Sequence, residues 1–288
     1  MDTQAVRVED LRKTYGDRPV VDGVSFDVAR GETLALLGPN GAGKSTTVEI
    51  LEGFRRRTGG RVEVLGADPE TAGLEHRTRL GIVQQSTGRT GPLTVRELLR
   101  QFAGLYPHPR DVDELIADVG LTGHERTRVS KLSGGRRRRV DVALGIVGRP
   151  ELLFLDEPTT GFDAHARREF WGLIRRLQAE GTTILLTTHD LDEAAHLADR
   201  VAVLVSGRLR AIGPVAALGG QDARLPIVRW TEDGQPREER TARPFVLAEA
   251  IARRLGASAD DIEIVRPRLE DVYLGLVREH ELVDGGAR

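Results

Sequence analysis

A short apolar run from Thr33 to Leu37 leads directly into Gly38-Pro39-Asn40-Gly41-Ala42-Gly43-Lys44-Ser45, and a helical stretch from Thr46 to Phe54 follows. This strand, glycine loop and helix start match G-x-x-x-x-G-K-[ST], a pattern that few folds can house. Glycines permit the tight curve that aims backbone N–H groups at phosphate oxygens, and the helix N-terminus adds a favourable partial charge. Lys44 is placed to reach the β- and γ-phosphates of a nucleoside triphosphate, and the Ser45 hydroxyl to ligate Mg²⁺. The expected nucleotide contacts are Gly38, Pro39, Asn40, Gly41, Ala42, Gly43, Lys44, Ser45 and Thr46. The loop by itself does not choose among kinases, GTPases, helicases and other nucleotide-driven proteins.

Around the loop the chain reads as a partly parallel α/β core. Residues 5–14 and 24–29 have the alternation of β segments and flank a polar stretch at 15–19. Further strand-like runs are 61–64, 80–85, 152–156, 183–187, 200–205 and 208–212, with helical patterns between most of them. From about 86 to 150 the strand signals stop and a helical insert is expected. Thr94 and Glu97 form a capping box before a helix over 95–106, which Pro107 and Pro109 end. A second helix spans 111–119 and closes at Gly120, and a third follows Ser133, over roughly 135–148. After Pro214 the stretch 219–243, rich in Gly, Asp, Arg and Pro, reads as a boundary or an exposed irregular segment. A small unit is expected beyond it. There Leu247, Ile251 and Leu255 share a helix face, 262–265 is strand-like, and Leu269, Val272, Tyr273, Leu276 and Val277 fall at helical spacing.

Bulk properties narrow the class. With 39% hydrophobic and 30% charged residues the chain fits a soluble globular protein, and no run of apolar residues is long enough for a membrane span. A formal net charge of -2 gives no overall pull toward nucleic acid, so none is expected as partner. The absence of cysteine removes disulfides, thiolate metal sites and thiol nucleophiles, and the first residues lack a secretory pattern. A cytoplasmic location is the expectation.

Two further motifs decide among nucleotide-driven proteins. Leu152-Leu153-Phe154-Leu155-Asp156-Glu157 is an apolar strand ending in two acids, as a Walker B motif is. Asp156 would hold Mg²⁺ and Glu157 would polarise the attacking water. Upstream lies Leu132-Ser133-Gly134-Gly135. A serine hydroxyl and glycine N–H groups at a helix start form an anion site, although such a turn can equally be a plain helix cap. Set between a phosphate loop and a Walker B strand, it resembles the signature sequence of ATP-binding cassette (ABC) proteins, usually written LSGGQ.

That resemblance covers about residues 5 to 218 and implies an ABC cassette of the P-loop NTPase class. The implied parts are a RecA-like core, an antiparallel β subdomain and a helical subdomain at about 86–150, followed by a small α/β extension at 219–288. It further implies that Tyr15 stacks on adenine, Gln85 links the metal site to the helical insert and helps hold the metal, Asp163 is the D-loop aspartate, and His189 is the switch histidine. Gln84 competes for the glutamine role, and Gln85 is preferred by strand alternation. The bland alternative for His189 is a cap on the helix near Leu191. ATP and Mg²⁺ are the implied ligands. The partners would be a second copy of the chain, whose Ser133, Gly134 and Gly135 face the first copy's γ-phosphate, and an integral membrane permease that holds the subunit at the inner face of the membrane.

The sequence departs from the signature at Arg136, which replaces the usual glutamine and is followed by Arg137, Arg138 and Arg139. Four arginines at a helix N-terminus oppose the helix dipole, so some compensation is expected. They form either a solvated basic face or, through Arg136 or Arg137, a contact to phosphates or carboxylates across a dimer. Thr159-Thr160-Gly161-Phe162-Asp163 and Leu269-Glu270-Asp271-Val272-Tyr273 are similar to the drug-exporter, daunorubicin-resistance-like branch. This implies export of a hydrophobic small molecule or drug. The rival is a soluble ABC ATPase acting without a permease on ribosomes or DNA; such relatives pair two cassettes or carry a long coiled coil, neither of which is visible.

Overall fold

Alternating apolar residues and a two-residue turn at Gly16-Asp17 produce the first hairpin, β1 (Gln4–Tyr15) against β2 (Arg18–Ala29), antiparallel throughout. A computed structural model describes residues 3–84, 92–256 and 261–285, and divides into two units, Met1–Ile212 and Gly213–Arg288. In the first unit β3 (Thr33–Leu37) is followed by α1 (Lys44–Leu51) and β4 (Gly59–Val64). β4 pairs antiparallel with β1, giving a sheet of order β2-β1-β4. Its inner face, with Val6, Val8, Val24, Phe26, Val28, Val62 and Val64, is buried in the same core as Leu34 and Leu36 of β3.

Next come α2 (Leu74–Thr78) and β5 (Leu80–Val83), then three helices: α3 (Val95–Ala103), α4 (Val112–Asp118) and α5 (Gly134–Ile146). Both halves of the Thr94–Glu97 capping box are made. α3 stops at Ala103, three residues short of the expected end, because Gly104 caps it and the Tyr106 ring turns back onto Gly148, where a Cβ would come within 2.3 Å of it. The chain then completes its large sheet with β6 (Leu152–Asp156), α6 (Ala164–Ala179), β7 (Thr183–Thr188), α7 (Leu191–Leu197), β8 (Arg200–Val205) and β9 (Arg208–Pro214).

The order is β5-β6-β7-β3-β8-β9, and the pairs from β5 through β8 are parallel. β3 and β7 are buried along their whole length and β6 as far as Leu155, which is why β3 and β6 read as apolar runs and β7 as an apolar centre between threonines. Each buried Leu or Ile contributes about 1.5–3 kcal/mol, so this layer is a rigid platform. The register puts Leu36 level with Thr187 and Thr187 level with Asp156. The loops leaving β3, β6 and β7 therefore emerge from one edge, the carboxyl end, where open α/β sheets place ligands.

The second unit corrects one expectation. The stretch expected to be irregular, 219–243, holds α8 (Gly220–Ala223) and a hairpin of β10 (Ile227–Glu232) and β11 (Gln235–Arg240). Its turn is Asp233-Gly234, both at positive φ (52° and 74°), the conformation that matches the twist of paired strands. α9 (Pro244–Leu255), β12 (Ile262–Val265) and α10 (Leu269–Gly285) complete the unit, with sheet order β11-β10-β12. Pro244 sits in the first turn of α9, where its missing N–H costs nothing, and Ile251 is buried as its period requires. Among the described residues no helix is long and apolar enough to cross a membrane.

Candidate functional site

The glycine loop is shaped by close approach. A Cβ at Gly38 would lie 2.2 Å from the Leu204 carbonyl of β8, and one at Gly43 would lie 2.6 Å from the Val20 carbonyl of β2. Gly43 is also left-handed, at φ 98°, and immediately precedes α1. Lys44 is only 6% exposed, and its Nζ donates to the carbonyls of Gly38 (2.7 Å) and Pro39 (3.1 Å). Burial pushes this ammonium below its ordinary pKa, while Glu157 and Asp156 pull it back up. The loop borders a cavity of about 560 Å³ lined by Asn40, Gly41, Gly43, Lys44, Ser45, Thr46, Glu157 and His189, together with Val20, which the sequence did not single out.

At the end of β6 the backbone turns sharply. Glu157 adopts φ 45°, a conformation disfavoured for any residue with a Cβ. Its N–H donates to Thr187, at 3.1 Å to the carbonyl and 3.2 Å to the hydroxyl. The same hydroxyl donates to the Asp156 carboxylate. Glu157 Oε1 lies 3.2 Å from His189 Nδ1, and Oε2 accepts from the Thr160 hydroxyl at 3.4 Å. His189 is not the cap of α7. Asp190 takes that role, accepting from the N–H groups of Asp192 (3.0 Å) and Glu193 (3.1 Å), so the imidazole stays at the cavity, its side chain 61% exposed.

Ser133, Gly134, Gly135, Asp163 and Tyr15 are not among the residues that line this cavity. Ser133 is the N-cap residue of α5, yet its exposed hydroxyl makes no capping bond, and Gly134 and Gly135 open the helix. Asp163 caps α6 by accepting from Ala166 N–H at 2.8 Å, and backbone hydrogen bonds hold its carboxyl below the usual range. Tyr15, 41% exposed at the end of β1, accepts a hydrogen bond from Arg55, and Lys13 Nζ lies 4.8 Å from its ring centroid. Gln85 lies outside the described residues; β5 ends at Val83, before either glutamine.

The arginine run does not act as one face. Arg136 is exposed, and Arg137 reaches back to the Leu132 carbonyl at 3.4 Å. Arg139 pairs with Glu169 at 2.6 Å and donates to the Val119 carbonyl at the end of α4. Arg138 is buried and donates to the peptide carbonyls of Asp156 and Pro158 at the carboxyl end of β6. Arg138, Asp141, Val142 and Gly145 are buried at i, i+3, i+4 and i+7, but Val140, Ala143 and Ile146 are buried too, so the helical period alone did not single Arg138 out. Glu52, the cap of α1, was also missed; burial, with help from Asp156 and Glu49, raises its pKa to about 8.

Comparison with known proteins agrees with this geometry. Residues 21–160 match the ABC transporter family model. The daunorubicin resistance ATP-binding protein DrrA3 of Streptomyces coeruleorubidus is 36% identical over 312 residues, covering 98% of this chain and 99% of that protein. The chain belongs to the ATP-binding proteins of ABC transporters. This ABC ATPase is also 43% identical to the Nod factor export ATP-binding protein I of Rhizobium meliloti (strain 1021), over 95% of its own length and 88% of the relative's. A solved ATP-binding subunit of an ABC transporter superposes with TM-score 0.72 at 25% identity, covering 94% of this chain and 99% of that one. The cbiO1 subunit of the Clostridium perfringens cbiONQ transporter complex does so with TM-score 0.66 at 29% identity, over 74% and 89%. The ABC ATPase thus binds nucleotide and hydrolyses ATP as a transporter's ATP-binding subunit.

Proposed function

We propose that this ABC ATPase drives export of a hydrophobic small molecule through a separate membrane permease, as a head-to-tail pair of copies that encloses two Mg-ATP. The observation that carries the reading is the single cavity bordered by Lys44, Ser45 and the Glu157–His189 pair, with Ser133 and its unused hydroxyl elsewhere on the chain. One copy then offers the loop to a nucleotide and the other offers the serine-glycine turn. Export is supported by relatives named for daunorubicin resistance and Nod factor export, and by the Leu269–Tyr273 motif. By the same reading the chain sits at the cytoplasmic face of the membrane through its permease and has no nucleic-acid partner.

The donors present fit Mg²⁺. No cluster of three His, Cys, Asp or Glu suited to a metal occurs among the described residues, but Mg²⁺ at phosphates needs only one or two protein oxygens. Ser45 and Asp156 supply such hard oxygens, with Gln85 as a further ligand. Held there, Mg²⁺ would supply charge neutralisation to the bound triphosphate. Lys44 moves its Nζ from the Gly38 and Pro39 carbonyls to the phosphate oxygens, so the buried charge never lacks a partner. Tyr15 stacks on adenine. Glu157 orients a water for in-line attack on the γ-phosphorus and takes its proton, the bond to the β–γ bridging oxygen breaks, and His189 steadies the γ-phosphate. Asp163 and the partner copy's serine-glycine turn close the site, and Gln85 passes the change to the helical insert.

Glu157→Gln tests this. The variant should bind ATP with unchanged affinity, lose turnover by about 10²- to 10⁴-fold and accumulate as a dimer with Mg-ATP on light scattering. Wild-type turnover removes Glu157 from its role, and a variant that stays monomeric under saturating Mg-ATP removes the paired site.

A further inference from the structure

A buried guanidinium joins the start of α5 to the end of β6. Arg138 is 7% exposed. Its Nη2 donates to the carbonyls of Asp156 at 2.7 Å and Glu157 at 3.3 Å, its Nε donates to the Pro158 carbonyl at 3.1 Å, and its Nη1 donates to the Gln84 carbonyl. Three of these acceptors are consecutive in sequence. In an extended strand successive peptide groups point in alternate directions, so three in a row reach one cation only where the chain bends sharply. The left-handed residue supplying that bend is Glu157.

Residue type matters here. Only arginine presents a planar fork of five donors, whereas lysine is a point charge on a flexible stem and glutamine has two donors. The backbone of Glu157 is therefore held from two sides: its N–H by Thr187 of β7, and its carbonyl by Arg138 of α5. Arg138 stands five residues after Ser133, less than two helical turns along the same helix. Any shift of the serine-glycine turn as it meets a triphosphate must carry this guanidinium with it.

We propose that Arg138 is a positioning residue: it keeps Glu157 in the left-handed turn that aims its carboxylate at His189 and the cavity, and so makes water activation depend on how α5 is seated. The proposal rests on the reading of Glu157 as the group that orients the attacking water. It assigns a task to one member of the arginine run that phosphate contact does not require.

The test uses the full-length chain with Mg-ATP, measuring melting temperature, ATP affinity and steady-state turnover for R138Q, R138K, E157Q and R138Q/E157Q. R138Q should bind ATP within about threefold of wild type while turnover falls about 100-fold, the scale for a catalytic group displaced by about 1 Å. R138K keeps the charge but not the fork and should lose about tenfold, with the loss in kcat rather than KM. In the double variant the R138Q change should add nothing to the E157Q loss, because both act through one carboxylate. Multiplying losses would mean an independent role and overturn the proposal. R138Q within about twofold of wild type beside an inactive E157Q would overturn it alone, whereas an E157Q chain with full turnover would sink the Glu157 reading and this inference together. If R138Q does not fold, R138K decides: wild-type turnover there, or unfolding of both, leaves Arg138 a purely structural clamp and overturns the proposal.

Discussion

Glu52→Gln should stabilise the first unit at alkaline pH and change little at acid pH. Glu52 caps the C-terminal end of α1, is 7% exposed, and is raised from 4.5 to about 8 by burial first and by the neighbouring charges of Asp156 and Glu49. Its folded pKa lies above its unfolded one. The contribution to stability is thus fully present below about pH 4.5 and lost as pH rises through about 8, because the folded state must give up a proton that the unfolded state gave up earlier. A rise of this size corresponds to at most roughly 5 kcal/mol, and relaxation around the ionised group reduces what is measured to about 2–4 kcal/mol. Glutamine is uncharged at every pH and escapes that loss. The chain contains two tryptophans, Trp171 in the first unit and Trp230 in the second, so a Trp230→Phe background lets fluorescence follow the first unit alone. Urea unfolding at about pH 5 and about pH 9 then gives four free energies whose double difference isolates Glu52 from all other titrations. A double difference below about 0.5 kcal/mol would show that Glu52 is already ionised in the fold near neutrality and refute the argument.

Lys44→Ala should weaken ATP binding by at least about tenfold, because a charge-assisted contact to phosphate is lost; unchanged affinity by calorimetry would contradict the loop assignment. Gly43→Ala forces a side chain into φ 98° and to 2.6 Å from the Val20 carbonyl, and should cost about 2–4 kcal/mol in thermal or urea unfolding together with nucleotide affinity. Ser133→Ala leaves no capping bond to lose, so stability should change by less than about 0.5 kcal/mol while turnover falls about 10-fold or more; a stability loss with full turnover would make Ser133 an ordinary cap.

The parallel sheet and the phosphate loop were legible because their residues answer to one constraint each. β3 and β7 are buried end to end and β6 over four of its five residues, so each carries an apolar centre with polar residues only near its ends, and the glycines at 38 and 43 stand where another backbone passes too close for a Cβ. The hairpin of β10 and β11 was not legible as strands, since every residue of β11 is exposed and no apolar alternation marks it; its one sequence mark, the turn pair Asp233-Gly234, was absorbed into the expected irregular segment. The arginine run hid its division of labour for another reason. Four identical side chains carry no pattern of their own, and the residues further along α5 are buried on too many sides to choose among them; only the contacts of Arg138 in the fold show which one turns inward. His189 was separable from helix capping once Asp190 was seen to fill both capping bonds.

β11 has one further implication. It lies at the margin of its sheet and displays Gln235, Pro236, Arg237, Glu238, Glu239 and Arg240 to solvent. Proline offers no N–H for an added strand, and four charges of mixed sign resist the dry stacking that amyloid-like ribbons need. Neighbouring molecules are thereby denied a template for zipping on along this border, and the unit can be made in quantity without polymerising through it.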